Sequence, residues 1–115
     1  MENDMKNEQF YENLIQELRR GVIVLAVLSQ LGQEQYGYFL MKLLSDQGLA
    51  VDQGTLYPLL RRLESQGLLK SVWKVEEERP RRYYVVSPEG QKLMPKLEAE
   101  WNHLTEMLGR MLIHK

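Results

Sequence analysis

At 115 residues, 43% of them hydrophobic and 27% charged, the chain has room for one domain with one modest core and the balance of an ordinary soluble protein. The absence of cysteine excludes disulfides, thiolate metal sites and cysteine nucleophiles, and fits a reducing compartment. A net charge of −1 excludes a uniformly basic surface, but the charge is polarised: the first 17 residues hold five acids against Lys6 alone, while Arg61, Arg62, Lys70, Lys74, Arg79, Arg81 and Arg82 gather seven of the 15 cations in the middle.

From the polar start no targeting segment is expected, and the longest apolar run, residues 22–28, is far short of the roughly 20 residues a bilayer requires. A cytoplasmic location is expected. The first helix is expected over residues 8–31. Phe10, Leu14, Leu18, Leu25 and Leu28 recur at helical steps, with Val22 close to the same face. Residues 22–28 are apolar all round, so that half must be buried on several sides. Gly32 is its stop signal.

A second helix is expected over residues 35–47, striped by Phe39, Leu40, Leu43 and Leu44, with Gly48 as a left-handed cap. Leu49 and Val51 suit a short extended link. Asp52 is placed to cap a third helix, residues 53–66, in which Leu56, Leu59, Leu60 and Leu63 form the buried stripe. Pro58 is tolerable there because it falls in the first turns. Residues 68–75 and 82–86 read as two strands around a charged, proline-containing loop, residues 76–81. Trp73, on the first strand, is expected to be a packing residue. Ser87-Pro88 then starts a last helix that runs nearly to the end.

That helix carries Leu97, Trp101, Leu104, Leu108 and Met111 at steps of 4, 3, 4 and 3, which is heptad spacing. The seam could pack on the chain's own first helix or form a dimer interface. The apolar surface of the first helix, larger than three short helices can cover, favours the dimer. The expected fold is therefore mainly α with a small β-hairpin. Residues 1–87 form a winged helix-turn-helix region and residues 88–115 a C-terminal dimerisation helix.

In such a fold the third helix enters the DNA major groove with its N-terminal residues near base edges. Gly54, Pro58, Arg61, Arg62 and Ser65 point away from the leucine stripe, and Gln53, Thr55 and Tyr57 flank that face. Gln and Thr can bond base edges, Tyr a phosphate, and the forks of Arg61 and Arg62 suit either phosphate or guanine. Arg79, Arg81 and Arg82 cluster at the wing, next to Glu76, Glu77 and Glu78, which would repel phosphate or pair with those arginines.

These residues also carry a family resemblance. Leu18-Arg-Arg-Gly21, Leu25-Ala-Val-Leu28, Tyr36-Gly-Tyr38, the long stretch Gly54-Thr-Leu-Tyr-Pro-Leu-Leu-Arg-Arg-Leu-Glu64 with Gly67-Leu-Leu69, Pro80-Arg-Arg-Tyr-Tyr84 and Glu100-Trp101 resemble PadR-type regulators over most of the chain. The resemblance implies a dimeric repressor of the small subfamily, bound to near-palindromic double-stranded DNA and released by a small phenolic or drug-like effector. It implies groove and phosphate contacts at Gln53, Thr55, Tyr57 and Arg61, backbone contacts at Tyr38 and Lys42, and wing contacts at Arg81 and Arg82. The wing tip departs from the pattern at Glu78-Arg79, where many relatives have glycine or a second proline.

Trp101 has two readings. It is a core anchor that seals the seam or, less favoured, half of a slot that sandwiches a flat effector between two indoles. No catalytic set, metal site or cofactor is expected. His103 and His114, the only histidines, lie 11 residues apart on one helix, roughly three turns. Glu98 and Glu100 fall on different helix faces. The remaining alternative to DNA binding is a winged helix used only for protein contacts, which would present an apolar third-helix face rather than two Arg, a Gln and a Thr.

Overall fold

The computed structural model describes residues 2–113, and His114 lies outside the described residues. The elements run α1 (Glu2–Gln30), β1 (Gln35–Tyr36), α2 (Gly37–Asp46), α3 (Gln53–Ser65), β2 (Leu69–Glu76), β3 (Arg79–Val86) and α4 (Pro88–Ile113). The fold is mostly helical with a small antiparallel sheet of order β1-β3-β2. No described helix is long and apolar enough to cross a membrane.

One core holds the middle of the chain together. Ile23, Val27, Leu28 and Leu31 from the end of α1 meet Leu40 and Leu44 of α2, the α3 stripe Leu56, Leu59, Leu60 and Leu63, and Leu69, Tyr84 and Val86 of the sheet. The apolar second half of α1 is thus buried on several sides, as its composition requires. Its first half is not: Phe10 is 64% and Leu18 70% exposed. That half reaches outward with the end of α4, so the radius of gyration is 17.1 Å, against about 13 Å for a compact chain of this length.

The capping residues act as their chemistry dictates. Asp52 Oδ1 accepts from the Thr55 amide at 2.8 Å and starts α3. Gly48 and Gly67 take left-handed backbone, φ 97° and 83°, just past α2 and α3. Ser87 does more than cap. Its Oγ accepts from the Gly90 amide at 3.0 Å and donates to the Gly67 carbonyl at 2.6 Å, while its own amide donates to the Leu68 carbonyl. It therefore joins the start of α4 to the turn after α3. Gly90 must be glycine in this arrangement, because a Cβ there would meet the Leu68 carbonyl oxygen at 2.5 Å.

Four expectations need correction. The first helix begins six residues earlier than residue 8, at Glu2. The second begins at Gly37, because Gln35 and Tyr36 pair with Tyr84 and Tyr83 as a third strand. The wing has no six-residue loop over 76–81. Its strands run into a two-residue turn at Glu77 and Glu78, and Pro80 sits inside β3 opposite Val75. Proline is tolerated there because β1 ends beside Tyr83, which leaves that part of β3 with only one neighbour. Trp73 is not a core residue but is 61% exposed on the wing.

Candidate nucleic-acid interface

The leucine stripe buries one side of α3 and leaves Gln53, Gly54, Thr55, Pro58, Arg61, Arg62 and Ser65 exposed on the other. The exposed row is the one expected from the spacing. Tyr57 lies between the two sides, half-buried at the edge of the core. Its ring fits against the backbone of Gly37, where an added Cβ would stand 2.5 Å from Tyr57 Cε1. The glycine of Tyr36-Gly37-Tyr38 thus seats the tyrosine of the third helix. Tyr38 and Lys42 are exposed together on α2, with the Lys42 ammonium 5.9 Å from the Tyr38 ring centre.

Between α2, α3 and the wing runs an open cleft of about 280 Å³, lined by Tyr36, Tyr38, Tyr57, Arg61, Trp73, Arg81, Arg82 and Tyr84. Cations alternate with aromatic faces around it. The Arg81 guanidinium stands 4.7 Å from the Tyr36 ring centre, and that of Arg82 stands 5.8 Å from Trp73 and 5.4 Å from Tyr84. Burial pushes the Tyr84 phenol above its usual range. On the outer side of the sheet, a hydrogen bond and ion pair to Glu34 at 2.5 Å raises the Lys74 ammonium, and Lys74 also stands 4.8 Å from the Tyr83 ring centre.

The two neighbouring wing arginines have different partners because side chains alternate along a strand. Arg81 faces Glu76 at 3.5 Å. Arg82 faces α3, where its Nη2 donates to Glu64 Oε1 at 2.6 Å. Of the acidic run expected to pair across the wing, only Glu76 does so among the described residues, and Arg79 has no ion pair there. The turn bends through Glu77 and Glu78 at φ 52° and 66°, a left-handed conformation that ordinarily selects Asn or Gly.

The C-terminal seam divides. Leu97 packs against the core, while Trp101 and Leu104 are each 39% exposed, and Leu108 and Met111 more so. Trp101 lies between two open hollows, one shared with Val22, Leu25 and Met94 and the other with Val24, Leu97 and Leu104. The first helix therefore covers part of the seam and leaves the rest free.

Three helices around one core, the third with a polar outer face, and a paired wing define a winged helix-turn-helix protein. Residues 24–96 match the transcriptional regulator PadR-like family. The chain is 40% identical over 97 residues to the transcriptional regulator Rv3488 of Mycobacterium tuberculosis, covering 83% of this chain and 91% of that one. Its structure is similar to that of a PadR family transcriptional regulator from Eggerthella lenta, with TM-score 0.88 and 43% identity over 96% of this chain and 99% of that one. A transcriptional regulator from Clostridium thermocellum is similar at TM-score 0.73 and 31% identity, over 82% and 96% of the two chains. The chain belongs to the PadR-like family of transcriptional regulators.

Proposed function

We propose that this regulator is a homodimeric repressor that reads a near-palindromic DNA site through α3. The observation that carries the reading is the exposed row on α3, which is polar and cationic and stands beside a cleft of arginines and tyrosines. Gln53 and Thr55 occupy the groove-facing N-terminal turn and bond base edges. Arg61 and Arg62 neutralise phosphates or fork onto guanine. Tyr57, held by Gly37, offers its hydroxyl to a phosphate, and Tyr38, Lys42 and Arg81 grip the backbone on either side.

A second copy supplies the missing cover for the apolar surfaces of α1 and α4, including Phe10, Leu14, Leu18, Leu104, Leu108 and Met111. The two α3 helices then enter successive major grooves roughly one DNA turn apart, and promoter access is blocked. A flat effector seated in the hollows beside Trp101 would change the angle between the two winged regions. It acts only if it binds the two arrangements with different affinity.

The test is fluorescence anisotropy on a duplex from upstream of the protein's own gene and on duplexes selected from a random pool, across a salt series. Tight binding that weakens steeply with salt, and that Tyr57→Ala and Arg61→Ala each reduce, is the expected result. A folded dimer that selects no duplex from the pool would leave the protein-contact reading in its place.

A further inference from the structure

Glu64 is the single acid within α3, and it stands on the helix that should approach a polyanion. Unpaired, it would weaken DNA binding. It is not unpaired. Arg82 Nη2 donates to Glu64 Oε1 at 2.6 Å, Arg82 Nε donates to Ser71 Oγ at 3.1 Å, and the Ser71 hydroxyl donates to Glu64 Oε2. The three side chains close a ring of hydrogen bonds between α3, β2 and β3. Both charged side chains are about two-thirds buried. The rings of Trp73 and Tyr84 flank the guanidinium and limit its swing.

We propose that Glu64 and Arg82 are a strut that fixes the angle between the recognition helix and the wing, and that Arg82 serves DNA binding as a positioning residue rather than as a phosphate contact. This rests on the DNA-binding reading above. The reasoning is electrostatic and geometric. A carboxylate at hydrogen-bond distance already neutralises Arg82, so a phosphate drawn to the same guanidinium would also meet the charge of Glu64. Planar, paired geometry of this kind is what a guanidinium fork provides and an ammonium does not. The phosphate-gripping role on the wing then passes to Arg79, which has no ion pair among the described residues, and to Arg81, which lies on the other face of the strand and meets Glu76 only at 3.5 Å, beyond the 2.6 Å of the Arg82–Glu64 bond.

The strut and the phosphate contact predict opposite signs. The test measures binding of the full chain to a fluorescein-labelled duplex selected from a random pool, over a salt series, for wild type, Glu64→Gln, Arg82→Gln and the double variant. With a strut, each single change weakens binding by about tenfold, the scale of coupling within one ion-pair network. The double variant is no worse than either, and the slope of log affinity against log salt stays at the wild-type value. If Arg82 instead holds a phosphate, Arg82→Gln lowers that slope by about 0.9 and Glu64→Gln tightens binding, and either result overturns the proposal. Urea unfolding of the same four proteins separates this from failure of the DNA reading. If wild type selects no duplex, non-additive losses of stability uphold the strut, and additive losses remove it.

Discussion

The winged region and the helical arms solve the same problem, apolar surface in water, in different ways. In the winged region the leucine stripes find cover within the chain: Leu40, Leu56 and Leu60 are fully buried, Lys74, Arg81 and Arg82 of the wing lie on aromatic rings or acids, and Phe39, Val72, Trp73 and Val75 are the large apolar side chains left exposed beside Tyr38. In the arms, the first half of α1 and the last half of α4 repeat the same residue types at the same helical spacing and leave them bare. Apolar residues at helical spacing are thus present in both regions. What differs is whether the chain itself supplies a partner, and that decides which leucines build the fold and which prepare an assembly.

The largest expected effect tests this difference directly. Leu60→Ala should cost about 3 kcal/mol, because the removed atoms leave a cavity in a closed core. Leu104→Ala, at a half-covered site, should cost only about 1 kcal/mol in a lone chain. If a second copy covers the seam, Leu104→Ala should approach the cost of the core change, and the urea midpoint should rise with protein concentration. Equal midpoints at all concentrations, with a small Leu104 effect, would mean that the arms stay bare.

Next in size is the wing tip. Two glutamates held in left-handed backbone each cost about 1–2 kcal/mol relative to residues suited to it. Glu77→Asn with Glu78→Gly should therefore raise the thermal midpoint by several degrees and, by removing two negative charges from the wing, tighten binding to any duplex. A lower midpoint would show that the turn depends on something other than its backbone. Smaller again is Gly37→Ala. The new methyl would push the Tyr57 ring, lowering DNA affinity about tenfold, which is about 1.4 kcal/mol, while a rotation of the ring spares the core. Measured together, anisotropy should change and the unfolding midpoint should change little.

The same contrast explains how far the sequence could be read. The helices of the winged region were legible because their stripes and their caps agree: Asp52, Ser87, Gly48 and Gly67 all do what their types predict. The exposed row on α3 followed from the stripe opposite it. β1 was hidden because two residues have no period, and their pairing with Tyr83 and Tyr84 is a tertiary event. The wing turn looks like a longer loop in the sequence because Glu-Glu lacks the Asn-Gly signature and Pro80 resembles a loop residue. The start of α1 is not legible because its mostly polar residues leave no stripe. Composition makes Arg81 and Arg82 look equivalent, although strand alternation puts them on opposite faces. That Arg82 meets an acid 18 residues earlier needed the fold. Pro95, inside α4, cannot donate to the turn before it, and no periodicity reveals that local gap in the helix ladder.

The smallest effect lies where fold and site share one residue. The Asp52 carboxylate caps α3 through the Thr55 amide, at the helix end nearest the proposed groove contacts Gln53 and Thr55. Asp52→Ala removes the cap and should cost about 1 kcal/mol. Asp52→Asn keeps an oxygen acceptor of nearly equal capping strength, so stability should be unchanged. It also removes a negative charge from the positive end of the helix that meets phosphate, so its DNA affinity should rise several-fold, most at low salt. Denaturation curves and anisotropy on the same two variants separate the roles. If Asp52→Asn loses stability as Asp52→Ala does, the charge rather than the hydrogen bond starts the helix. If its affinity is unmoved, this end of α3 stays away from DNA and the groove contacts must be sought toward Arg61 and Arg62.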